Sequence, residues 1–139
     1  MLPSLWGPKL WTLLHGIGGK AGRSIPALRA DEIRELKWLV NNLETIIPCN
    51  ECQTHIKIYR KAKPPPPNPS EYAHWFWEFH EAVNARLGKP SFPFTPDVSI
   101  NIHQAWKTFN YTIGSREINA EFIKKFGRHL QLWIGFAGI

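Results

Sequence analysis

Only two cysteines occur in these 139 residues, Cys49 and Cys52, three positions apart. So sparse a set excludes the disulfide framework by which small secreted domains make up for a thin core. No stretch approaches the ~20 consecutive apolar residues needed to cross a bilayer, so no transmembrane segment is expected. The N-terminus lacks a basic region, an apolar run and a small-residue cleavage site in order, so no secretory signal is expected either. The net charge is +6, yet no basic run is longer than Lys124–Lys125. Without a concentrated patch, specific nucleic-acid binding is not expected, and the charge equally suits an anionic membrane or a phosphate-bearing cofactor. Convincing period-two alternation and internal repeats are also missing. That leaves an all-α chain.

What the sequence does hold is apolar and aromatic. Seven tryptophans accompany a hydrophobic fraction of 43%, enough for a packed core and against global disorder. Leu5 to about Gly18 reads as a first helix, capped by Ser4, with Leu10, Leu13, Leu14 and Ile17 on one face. Gly18, Gly19 and Gly22 are expected to end it. Asp31 is expected to cap a second helix with Ile33, Leu36, Val40, Leu43 and Ile47 as its stripe. Pro48 suits the first position of a third helix running to about Lys63, which puts both cysteines in its first turn. Pro64 to Pro67 form an extended strap. Ser70 is expected to cap a fourth helix with Tyr72, Phe76, Phe79, Val83 and Leu87 as its stripe, stopped by Gly88. A short helix near Ile102–Phe109 and an amphipathic one from Glu117 to about Ile134 complete the chain. The expected architecture is a four-helix bundle over residues 1–94 with a C-terminal helical extension, 95–139, packed on the bundle or on a partner.

A two-residue spacer lets the sulfurs of Cys49 and Cys52 meet within one helical turn, so the pair is redox-active or half of a metal site. At a helix N-terminus the free N–H groups and the macrodipole favour a thiolate. Cysteine pKa values there fall from ~8.5 to roughly 3.5–7.5. His55 and Lys57, one turn on, add positive charge. A thioredoxin-type site requires a preceding strand, which the sequence lacks. Zinc would need His15, His55 or His80 to complete four ligands. No second cysteine pair or paired-histidine motif supports it, and no metal is expected. Taken singly, Trp11, His15, His80, Asn84 and Lys89 read as core or surface residues.

Taken together they resemble a known pattern. Trp11-Thr-Leu-Leu-His15, Ile47-Pro-Cys-Asn-Glu-Cys52 and His80-Glu-Ala-Val-Asn84-Ala-Arg-Leu-Gly88-Lys89-Pro90 resemble, in order and spacing, the Erv/ALR sulfhydryl oxidase family, from about Leu5 to Phe92. The resemblance implies a helical bundle that holds FAD non-covalently, usually as a homodimer, and oxidises protein dithiols with molecular oxygen. It implies that Trp11 and His15 pack against FAD and that Cys52 is the flavin-side thiol. Cys49 is then the outer thiol that meets substrate. His80 and Asn84 line the adenosine end, and Lys89 sits near the phosphates.

Departures accompany it. Glu81 stands where the family usually has Asn, Trp77 where Cys is frequent, and Ile47 where an aromatic is frequent. No second cysteine pair is present to shuttle electrons, so substrates or a thioredoxin-like relay protein are expected to meet Cys49 directly. The compact one-pair form is similar to those of large DNA viruses, which implies the host cytoplasm or the virion as its place of action. The competing expectation is a virion scaffold that keeps the fold without turnover. The tail is expected to cap the FAD pocket, extend a dimer face or dock on an assembly. Within it, Trp106 is a candidate for a late cofactor-stacking aromatic.

Overall fold

The computed structural model describes residues 2–114 and 120–139. Among them are six α-helices and no strand: α1 (Pro3–Lys20), α2 (Arg29–Asn41), α3 (Asn50–Ala62), α4 (Tyr72–Leu87), α5 (Ile102–Ile113) and α6 (Ala120–Ala137). No helix among them is long and apolar enough to cross a membrane.

α1 buries Trp6, Leu10, Leu13, Leu14 and Ile17, the face expected from their spacing of three and four. It packs against α4 and α5. The helix starts at Pro3 with Leu2 in the capping position, not at Leu5 behind Ser4. Gly18 and Gly19 do not end it. A Cβ on Gly18 would lie 2.8 Å from Ala73 Cα, and one on Gly19 would lie 2.5 Å from Asp97 O. These glycines are there for close backbone approach by α4 and by the segment before α5. The chain turns at Gly22 instead, where φ is +94°, a conformation that L side chains rarely adopt.

In α2 the buried positions are Glu32, Glu35, Leu36, Leu39 and Val40; Leu36 and Val40 of the expected stripe are buried in the helix, and Leu43 and Ile47 are buried beyond its end at Asn41. Ile33 is only half-buried, and Asp31 lies inside the helix, bonded to Arg34 rather than capping. The two buried carboxylates are tolerated because donors surround them. Glu32 accepts from Gly22 N–H, the Ser24 hydroxyl and Trp133 Nε1–H. Glu35 meets His129 Nδ1 at 2.7 Å. Trp133 and His129 belong to α6, which packs along α2 and buries Ile123, Phe126, Leu130, Trp133, Ile134 and Ala137. Each large side chain so buried contributes about 1.5–3 kcal/mol. The expected start of this helix at Glu117 lies outside the described residues.

α4 buries Tyr72, Trp75, Phe76 and Phe79, but its stripe stops there: Val83 is half-buried and Leu87 exposed. Ser70 does not cap it. Ser70 sits in a 3-10 turn over Pro69–Glu71, whose first N–H is satisfied by the Asn68 side chain. Residues 95–139 thus supply α5, against α1, and α6, against α2.

Candidate active site

Pro48 stands outside α3, which begins at Asn50 with Cys49 as its cap. Cys49 has the extended backbone that a capping residue needs (φ −158°, ψ 113°), and its Sγ takes the place of a serine oxygen, accepting from Cys52 N–H at 3.2 Å. The Gln53 side chain donates to Ile47 O at 2.6 Å and fixes the approach of the chain. Cys49 and Cys52 are joined as a disulfide with Cα atoms 5.2 Å apart. Both are half-buried at the margin of the core. Glu51, between them, lies 3.6 Å from His55 Nε2 and 3.5 Å from Arg86 Nη1 of α4. Arg86 is a cation near the pair that sequence reasoning missed; its position two residues past Asn84 was the available signal.

A second group forms where α1 crosses α4. Trp11 and His15 are one turn apart on α1, and His80 faces them from α4. The Trp11 and His80 rings stack at 3.9 Å with 9° between planes. His15 Nε2 and His80 Nδ1 are 3.0 Å apart, so one ring donates to the other. Burial pulls the His80 pKa down to about 4, and the neighbouring His15 acts in the same direction. Burial also lowers His15. Both rings are therefore neutral at pH 7, which suits an aromatic, uncharged wall.

These three side chains line a cavity of about 350 Å³, closed on its other side by the segment Phe92–Asp97 and by Ile100. Cys49, Cys52, Asn84 and Lys89 are not in that wall. Asn84 lies one turn beyond His80 on α4, buried, with its Nδ2 finding no acceptor in the protein. A buried donor without a partner costs about 1–3 kcal/mol, which is the usual mark of a missing acceptor. Lys89 is exposed. Its backbone N–H bonds Asn84 O at 2.8 Å while Gly88, at φ +69°, bonds Ala85 O, the two-bond closure that ends a helix sharply.

The expectations for the tail divide. Trp106 stacks on Phe126 at 5.6 Å, between α5 and α6, and does not reach the cavity. Phe92 and Phe94 are the aromatics of the segment after α4 that do. Sequence reasoning missed both, although an apolar pair in a proline-rich, non-helical stretch was the visible signal. Among the described residues no three His, Cys, Asp or Glu side chains are grouped to hold a metal.

Residues 8–107 match the Erv1 / Alr family, a span that takes in α2, α3 and α4 whole and leaves α6 outside. The chain is 30% identical over 107 residues to a "FAD-linked sulfhydryl oxidase" of African swine fever virus (isolate Warthog/Namibia), covering 76% of this chain and 87% of that protein. It is 35% identical over 88 residues to the "Mitochondrial FAD-linked sulfhydryl oxidase ERV1" of Saccharomyces cerevisiae, covering 62% of this chain and 44% of the yeast protein. With a rice "FAD-linked sulfhydryl oxidase ERV1" it shares 34% over 88 residues, 63% of this chain and again 44% of the relative. The chain thus spans most of the viral relative and under half of the yeast and rice ones. No solved structure matches it. With the family matched over most of its length, and with the cysteine pair, the α1–α4 aromatic cluster and Asn84 standing inside the matched span, the chain belongs to the Erv1 / Alr family.

Proposed function

We propose that this chain is an FAD-dependent sulfhydryl oxidase that forms disulfides in protein dithiols through Cys49 and Cys52. The observation that carries it is the bonded, half-exposed cysteine pair at the start of α3. The residues present fit the cofactor. Trp11, His15 and His80 line a cavity at the small end of the ligand range, suited to one aromatic end of a dinucleotide. Asn84 Nδ2 is a buried donor lacking an acceptor, and Lys89 is an exposed cation available to phosphate. Cys52 would be the thiol facing the flavin.

The chain's own chemistry is thiol–disulfide exchange. A substrate thiolate attacks Cys49 Sγ, the Cys49–Cys52 bond breaks, and Cys52 leaves as a thiolate beside the free N–H groups of the first turn of α3. The second substrate thiolate attacks the substrate sulfur of the mixed disulfide and releases Cys49, whose thiolate keeps the Cys52 N–H as a donor. The substrate leaves as a disulfide, its two protons pass to solvent, and two electrons remain on the pair. The chemistry FAD supplies when bound is acceptance of those electrons and their delivery to molecular oxygen, giving hydrogen peroxide. The proposed electron donor to Cys49 is a dithiol protein or a thioredoxin-like relay. The African swine fever virus relatives support the host cytoplasm or the virion as the place of action, and the resemblance supports a homodimer, which sedimentation of the purified protein tests.

The test is oxygen consumption with dithiothreitol by the yellow, FAD-loaded protein. Cys52→Ser and Cys49→Ser are each expected to abolish it. Serine keeps a capping oxygen at position 49, so that variant retains α3 and its bound FAD. A colourless protein that takes up no FAD, or undiminished oxygen consumption in either variant, overturns the assignment.

A further inference from the structure

The segment that closes the cavity has no sheet or helix of its own, so its backbone groups must find partners elsewhere. Those of Phe92 find them on one face of α4. Phe92 N–H donates to Glu81 Oε1 at 2.9 Å, and Phe92 O accepts from Trp77 Nε1 at 2.9 Å. The Ser91 hydroxyl donates to the other Glu81 oxygen. One turn back along α4, the Phe94 ring meets His74 edge-on at 5.1 Å and Trp77 at 5.7 Å. Positions 74, 77 and 81 recur at helical spacing, and the segment runs back along them in order, 94 to 74, 92 to 77 and 91 to 81. Both polar groups of the Phe92 peptide unit are thus taken by α4 side chains. Those side chains, and Phe92 and Phe94 themselves, line the same cavity as Trp11 and His80.

Resting on the FAD assignment, we propose that Trp77 and Glu81 are positioning residues that clasp the Ser91–Phe94 segment as a wall of the cavity and so set how slowly the cofactor leaves. Two of the three positions noted in the sequence as departing from the family pattern act as one device. An indole N–H and a carboxylate span the backbone of one residue, in the manner of a strand partner. The hydrogen bonds to Ser91 and Phe92 also hold the Glu81 carboxyl below its ordinary pKa, so the clasp stays charged through the neutral range. Opening this wall requires all three hydrogen bonds to break, whereas Trp11 and His80 remain fixed by the α1–α4 crossing.

Two measurements on Glu81→Ala, Trp77→Phe and the double variant test it. Hydrogen exchange on the apo-protein reads the clasp without the cofactor. The Phe92 amide is expected to exchange at least tenfold faster once Glu81 is lost, with the α1 and α4 amides unchanged. Trp77→Phe keeps a ring against Phe94 and removes only the donor. The second measurement is the FAD release rate, followed by recovery of free-flavin fluorescence. Loss of one hydrogen bond of ordinary strength should speed release by roughly three- to tenfold, and the double variant should exceed either single. Unchanged Phe92 exchange overturns the clasp itself. Faster exchange with unchanged release overturns its role toward the cofactor. A wild-type chain that binds no FAD overturns the assignment beneath it, and the cofactor role of the clasp falls with that assignment even where exchange shows the clasp formed.

Discussion

Gly7 and Gly18 lie in the same helix, yet replacing each by alanine should move stability in opposite directions. Both are inside α1. A Cβ at Gly7 meets nothing within 4 Å. Gly7→Ala therefore takes the backbone-entropy gain of a helix interior, about 0.5–1 kcal/mol, offset in part by crowding of the new Cβ against the Pro8 ring that follows. At Gly18 the new Cβ would stand 2.8 Å from Ala73 Cα and 3.1 Å from Ala73 N, where ordinary contact begins at 3.4 Å. The α4 backbone must then retreat by about 0.6 Å, from 3.4 minus 2.8, and a backbone atom has no rotamer by which to step aside. Overpacking of this kind costs ~1–3 kcal/mol. A rigid obstacle belongs in the upper half of that range, so the net after the helix gain is a loss of about 1–2 kcal/mol. For a chain of this size each 1 kcal/mol moves Tm by roughly 3–5 °C. Thermal unfolding of the apo-proteins, followed by circular dichroism in one buffer, should place Gly7→Ala above the parent and Gly18→Ala below it. The retreat also separates the helices that carry His15 and His80, so Gly18→Ala should bind FAD more weakly. A Gly18→Ala protein as stable as Gly7→Ala would refute the close crossing of α1 and α4.

The histidine pair predicts a pH dependence. The unfolded chain protonates His80 near its ordinary value of 6.5, while the folded chain resists until about 4, with His15 shifted the same way. Stability is thus full above 6.5 and falls as pH drops from 6.5 toward 4, because the unfolded state binds the extra protons. Urea midpoints from pH 8 to 5 should show that decline in the parent and a shallower one in His80→Phe; equal slopes would contradict it. The α2–α6 contact predicts a second loss. His129→Ala removes both the stacking on Trp38 at 3.7 Å and the nearer partner of buried Glu35, leaving it Arg34 Nε at 3.7 Å. It should cost about 1–3 kcal/mol in urea unfolding, and Glu35→Gln introduced with it should recover part of that by removing a buried charge left with only its contact to Arg34. A loss below ~0.5 kcal/mol, the size of an ordinary surface change, would show that α6 does not depend on this pair.

What was legible along the chain, and what was not, follows the distance to each residue's partner. The cysteine pair, Gly88 and the apolar faces of α1 and α4 depend on neighbours within a few positions, and spacing alone exposed them. The errors at Gly18 and Gly19 have another source. A helix-ending glycine and a close-packing glycine obey the same local rule, and only Ala73 and Asp97, over fifty positions away, distinguish them. Glu32 and Glu35 are the sharper case. With Leu36 and Leu39 they make an i, i+3, i+4, i+7 series at buried positions, but counting only apolar residues put Ile33 in the stripe and left both glutamates out. Beside Arg29 and Arg34 of their own helix, their carboxylates become tolerable in the core because Gly22, Ser24, His129 and Trp133 arrive from other parts of the chain. Trp77 and Glu81 repeat that logic at the site, since each is bound to a backbone ten to fifteen residues later. A charged residue in phase with a helix's apolar series should therefore be read as a demand for a distant donor. In this chain the demand of α2 is met from both sides: Gly22 and Ser24 answer Glu32 from before the helix, and His129 and Trp133 of α6 answer Glu35 and Glu32 from far beyond it.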